Sequence, residues 1–184
     1  RRQRQMCIRD RGIYSAPGKA VKEAYDSSGV VTNDRGITVW LKGNRVSRNQ
    51  IMAIKEESVT DQKNSLTVCL DNILRHAGIT RNTEYDLAQG KTAIQILEEN
   101  MTGVQVLDLS GCSLDAVLYY VNQDIPVLAI LEDGEAVLVT GFNEFNVVIM
   151  EPSTGKLYKK GMNDATAWFA ENGNHFISYM KIEN

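Results

Sequence analysis

Residues 133–156, DGEAVLVTGFNEFNVVIMEPSTGK, read as a strand, a turn, a second strand and a polar turn. Gly134, Gly141 and Gly155 fall where a turn or a close backbone approach suits a residue without a side chain. Immediately upstream, IPVLAILE (125–132) is apolar on both faces, the pattern of a central strand covered on each side. Downstream, KLYKK (156–160) adds a strand, NDATAWFAENG (163–173) reads as a helix with Asn163 as its cap, and HFISYMKI (175–182) closes with another strand.

Before the hairpin the period changes from two to 3.6. In SLTVCLDNILRHAGI (65–79), Leu66, Cys69, Leu70, Ile73, Leu74 and Ala77 form one apolar stripe, and Gly78 is placed to stop the helix. Shorter helical patterns follow at TEYDLAQ (83–89) and TAIQILEEN (92–100), the second with Thr92 as N-cap, and VQVLDL (104–109) reads as a strand. SLDAVLYYVNQD (113–124) repeats the stripe, with Ser113 as cap and Asp115 in the first turn, where a carboxylate suits the helix dipole. Helices first and a mostly antiparallel sheet afterwards give an α+β class.

Nearer the start, APGKAVKEAYDSSG (16–29) predicts a short helix with Pro17 in its first turn and Gly29 as its stop. VVTNDRGITVWLKGN (30–44) predicts a hairpin, and KEESVTDQKN (55–64) is polar and aperiodic. A boundary is expected there, leaving residues 12–58 as a helix-plus-hairpin extension or the end of an upstream module, and 59–184 as the main domain. Trp40 and Trp168 are read as packing residues.

The chain has 184 residues, 43% hydrophobic and 23% charged, enough apolar material for one core. Its net charge of -3 gives no reason to expect nucleic acid as a partner. The first eleven residues carry five arginines and one aspartate, so removing their +4 leaves -7. That arm has neither amphipathic pattern nor apolar run, and residues 1–11, with Cys7, are expected to be a non-native extension. No stretch approaches the roughly 20 apolar residues of a membrane span. Cys69 and Cys112 lie in apolar helical patterns as buried thiols, without the spacing of a disulfide or a zinc site. STGK (153–156) lacks the glycine-rich strand-to-helix setting of a phosphate loop. Glu135, Glu151 and Asp61 could supply oxygens to calcium, but no dense Asp/Asn/Gly loop accompanies them. Neither a metal nor a cofactor is expected.

The order QKNSLTVCLDNIL, PVLAIL, GEAVLVTGFN, VVIMEPSTG resembles the papain-like cysteine peptidases of the bacteriocin-processing, double-glycine leader type. Their pattern is a glutamine, a nucleophilic cysteine opening a helix (CGPAxLAMxL), a strand PVIAxL, a strand GHAVVVTGYD and a turn VxVxDPxxG. The likeness spans about residues 59–181. It implies a papain-like fold, a central antiparallel sheet with a long N-terminal helix packed on it. Carried over by position, Ser65 stands at the family's cysteine, Glu135 at its histidine and Glu151 at its aspartate, and Gln62 lies where a glutamine helps an oxyanion hole.

These replacements remove the good nucleophile, its base and the orienting carboxylate together. A helix dipole favours a thiolate, whereas a serine hydroxyl needs a general base within hydrogen-bond reach. A glutamate with an ordinary pKa near ~4.3 is a poor acceptor for that proton, and Glu151 adds a second negative charge. His76 lies about 16 Å further along the same helix at 1.5 Å per residue, and His175 reads as an edge or surface imidazole. Cys69, the alternative nucleophile, sits on the apolar stripe. The expected structural role is a hydrogen bond from the Ser65 hydroxyl and first-turn amides to the Glu135 carboxylate.

The function expected is a catalytically inactive, peptidase-like scaffold that binds peptide or a cell-wall fragment. The resemblance implies an extracytoplasmic setting. The alternative is an active hydrolase using Ser65 or Cys69 with an unidentified base.

Overall fold

The computed structural model describes residues 6–8, 12–42 and 52–183. Two antiparallel sheets organise them. The smaller joins β1 (Met6–Ile8), β2 (Gly12–Tyr14), β3 (Val30–Thr32) and β4 (Thr38–Leu41) in the order β2-β1-β3-β4. The larger joins β5 (Val104–Asp108), β6 (Val127–Ile130), β7 (Ala136–Phe142), β8 (Asn146–Glu151), β9 (Lys156–Gly161) and β10 (His175–Lys181) in the order β5-β10-β6-β7-β8-β9. β1 falls within the arginine-rich arm, whose other residues lie outside the described ones.

Six helices accompany the sheets among the described residues: α1 (Pro17–Ser27), α2 (Ser65–His76), α3 (Glu84–Ala88), α4 (Ala93–Asn100), α5 (Leu114–Asn122) and α6 (Met162–Glu171). α2 and α4 pack together on one face of the six-stranded sheet, and α5 with α6 on the other. Every residue of β7 is buried as a result, which explains a strand apolar on both faces. Leu70, Ile73 and Leu74 carry the α2 stripe into the core, where each full burial is worth about 1.5–3 kcal/mol. Among the described residues no helix is long and apolar enough to cross a membrane.

The class is α+β with antiparallel sheets, as the element order predicts, but three details differ from expectation. The helix on the sheet is not long: α2 has 12 residues, and the first helix of the chain, α1, has 11. The chain cannot extend α2 past Gly78, whose φ of 84° lets the amide of Ile79 return to the carbonyl of Leu74. α6 is capped by Gly161 rather than Asn163, because Phe145 O already accepts the Met162 amide at 2.7 Å and starts the helix earlier. β10 is an interior strand, inserted between β5 and β6.

The smaller sheet and α1 join the core through α5. Trp40 Nε1 donates to Ala116 O at 2.9 Å, Tyr120 Oη to Val39 O at 2.8 Å and Tyr25 Oη to Asp115 Oδ2 at 2.7 Å. Residues 20–40 therefore share buried contacts with α5. Met52 and Ile54, just before the polar stretch that leads into α2, enter the same core.

Candidate functional site: the amino end of α2

The chain enters α2 through a tight turn. Thr60 and Lys63 exchange backbone hydrogen bonds at 2.9 and 3.3 Å, and the Thr60 hydroxyl accepts the amides of Gln62 and Lys63. Asn64 then caps the helix, its side-chain oxygen accepting the Thr67 amide at 2.8 Å. Ser65 is thus the first helical residue and is 3% exposed. Its Oγ accepts the backbone N–H of Ala136, the first residue of β7, at 2.9 Å.

The local ladder explains why Ala136 has an amide to give. Leu131 N donates to Glu135 O at 2.8 Å, so Glu135 faces β6 and the next residue, Ala136, turns its N–H toward β8. β8 ends at Glu151, and Pro152 follows with no donor of its own. The Pro152 carbonyl accepts Val59 N at 3.0 Å, while Ser65 takes the Ala136 amide. At the other end of β7, a bulge between Val139 and Gly141 frees the Thr140 carbonyl, which accepts Met52 N at 3.0 Å. Residues 52–59 are therefore fastened at both ends of the β7–β8 pair.

The amino end of α2 and the start of β7 do meet, but not through the predicted partner. The Ser65 hydroxyl engages a backbone amide, not the Glu135 carboxylate, because the amide is buried and must find an acceptor whereas Glu135 is exposed to water. The Glu135 amide is held by Asp133 Oδ1 at 2.9 Å in the β6–β7 turn. Glu151 is half-buried at the end of β8, opposite Lys156, and accepts the Thr154 hydroxyl at 3.3 Å. Gln62 is exposed in the turn before the helix.

Neither imidazole stands beside Ser65. His76 closes the far end of α2, with Nε2 2.9 Å from Asp124 O and 3.5 Å from Asp124 Oδ2. His175 is exposed at the start of β10, paired with Ile130, which in turn pairs with Ala136. Two strand spacings of about 4.8 Å separate it from the Ser65 contact. Its ring lies against Gly173 instead. Cys69 is fully buried, and burial, then the charge of Glu135, push its thiol well above the ordinary range. A protonated thiol without access to water is neither nucleophile nor metal ligand. Among the described residues no group of three or more His, Cys, Asp and Glu side chains is placed to hold a metal ion.

One polar cluster was not predicted. Asp71, two residues after Cys69, is buried and accepts the Thr83 amide and hydroxyl at 2.8 Å each and Lys63 Nζ at 2.9 Å. Glu57 reaches Lys63 at 3.6 Å, Arg75 at 3.4 Å and Asn72 at 3.3 Å. The hydrogen bond that Lys63 donates to Asp71 is the main cause of its raised pKa. These contacts clamp the incoming segment and the start of α3 onto α2. The only sequence signal was two polar residues, Asp71 and Asn72, between the apolar positions of the stripe.

Comparison with solved structures finds the same fold in a protein from Bacillus anthracis described as C39-like peptidase. It is 16% identical, with a TM-score of 0.59, over 77% of this chain and all of that one. No protein-family model matches the chain, and no curated protein sequence does. The peptidase-like fold expected from the motif order is thus found in three dimensions.

Proposed function

We propose that this chain is a degenerate, catalytically inactive relative of the papain-like cysteine peptidases that serves as a peptide-binding scaffold. One observation carries the proposal: the Ser65 hydroxyl, at the position of the family's nucleophile, is buried and engaged with the Ala136 amide, with no imidazole beside it. Attack by serine needs an accessible oxygen, a base to take its proton and donors for the oxyanion that forms. Ser65 has neither the access nor the base, since its oxygen engages the Ala136 amide while the Glu135 side chain is exposed to water.

The peptide-binding half of the reading draws on the fold. Papain-like relatives recognise extended chains beside an antiparallel sheet, and this chain keeps such a sheet with its amino-terminal residues braced against it. Residues 59–184 are taken as the peptidase-like unit and 12–58 as a helix-plus-hairpin extension or the end of an upstream module, with Gln62, Ser65, Glu135 and Glu151 as positions equivalent to a catalytic set.

A mixture of internally quenched peptides tests inactivity. No turnover above buffer is expected at any pH from 5 to 9. Turnover that disappears in Ser65→Ala, with the variant still folded by circular dichroism, would establish a working hydrolase instead.

A further inference from the structure

We propose that the outer edge of β9 is a docking strand for an extended acidic peptide segment. This deepens the peptide-binding half of the function proposed above and does not depend on Ser65 being inert.

β9 is the terminal strand of the six-stranded sheet, with β8 on its inner side. Its residues alternate between inner and outer hydrogen bonding. Leu157 N donates outward, to the side chain of Glu56 at 3.0 Å, which places Leu157 and Lys159 on the outer register. Among the described residues no backbone group takes the outward amide or carbonyl of Lys159. An added antiparallel strand would find there the Lys159 N–H and C=O and the Leu157 C=O.

Charge decides which peptide. Lys156, Lys159 and Lys160 crowd this short edge, so a second copy of β9 would bring like charges face to face. An acidic strand meets the opposite. The chain already supplies one example: Glu56 occupies the position of an added strand's acceptor, with Oε1 on the Leu157 amide and Oε2 3.7 Å from Lys156 Nζ. Lys156, Tyr158 and Lys160 share one face of the strand by alternation and Lys159 takes the other, so acidic residues on either face of a peptide find a lysine. Lys160 is held in place over the Trp168 ring, 4.8 Å from its centroid.

The test is a titration of the full chain, followed by amide NMR, with acetyl-Glu-Ile-Thr-Val-Glu-Thr-Glu-amide and with the same peptide bearing lysine for glutamate. Saturable shifts over Leu157–Gly161, slowed exchange of the Lys159 amide, and at least tenfold weaker binding of the lysine peptide are expected. The variant K159E/K160E should lose the acidic peptide by a similar factor, and K159Q/K160Q, the milder change, by a smaller one. Equal binding of the two peptides, or a β9 edge that does not respond, would overturn the proposal. Shifts confined to the surroundings of Ser65 would also overturn it while leaving peptide binding itself in place.

Discussion

Ser65 and Ala136, seventy-one positions apart in sequence, are joined by a buried hydrogen bond of 2.9 Å in which the serine oxygen accepts and the strand amide donates. The bond substitutes for a rung of the sheet at the point where Pro152 ends the β8 ladder. The serine hydroxyl here satisfies a buried amide of the sheet. The consequence is a stability role that can be measured.

Ser65→Ala should destabilise the protein by about 1–3 kcal/mol, because the Ala136 amide is left buried without an acceptor. Urea denaturation followed by tryptophan fluorescence measures it. A change below about 0.3 kcal/mol would mean that water or another group satisfies the amide at no cost.

Asp71→Ala should cost more, about 3 kcal/mol, since it strands the Thr83 amide and hydroxyl and leaves Lys63 with a more distant partner at Glu57. Asp71→Asn keeps one acceptor oxygen and should cost roughly half as much. Equal effects of the two changes, read from denaturation midpoints, would show that the charge on Asp71 carries the whole interaction.

Gly155 and Gly134 offer a paired comparison. Both have positive φ, 68° and 84°, so alanine is strained at either by roughly 1 kcal/mol. At Gly155 an added methyl also collides with the Ser58 side chain, whereas at Gly134 it enters open space. Gly155→Ala should therefore lower the thermal midpoint more than Gly134→Ala, and Ser58→Gly should recover part of the loss. Identical shifts would mean that residues 52–59 yield freely to the methyl.

Alkali should destabilise the fold before it affects the backbone. Burial first, then the charge of Asp108, push the Cys112 thiol from 9.0 up to about 12, and burial followed by Asp124 raises Tyr179 from 10.0 to about 12. Cys69 moves in the same direction. Folded-state values above the unfolded ones mean that the folded protein holds more protons, so this stability is complete below pH 9 and is lost progressively as pH rises toward 12. Denaturation midpoints at pH 7, 9 and 10.5 should fall in that order, with a shallower decline in Cys69→Ala. A flat profile would contradict the burial of these groups.

The sequence exposed the elements whose signals are local. The i, i+3, i+4 stripe of Leu66 to Ala77, the caps at Thr92 and Ser113 and the doubly apolar strand at 127–130 all appear where periodicity and capping chemistry put them. What stayed hidden depends on partners distant in sequence. Asp71 looks like a residue of a solvated face until Thr83 and Lys63 fold around it. The insertion of β10 between β5 and β6 leaves no mark in its own residues. At the candidate site the meeting of Ser65 with the start of β7 was legible from motif order. Its partner was not, because a side-chain carboxylate is visible in a sequence, while a strand amide whose ladder acceptor is taken by Val59 is visible only once strand register is known.

The central claim is that the amino end of α2 has no reactive group. The most direct measurement is the intact mass of the native protein after exposure at pH 7.5 to excess fluorophosphonate and, separately, iodoacetamide, repeated after unfolding in urea. The account predicts no fluorophosphonate adduct and no alkylation of Cys69 or Cys112 in the folded state, with both thiols alkylated once unfolded. A stoichiometric adduct on native Ser65 or Cys69 would contradict it.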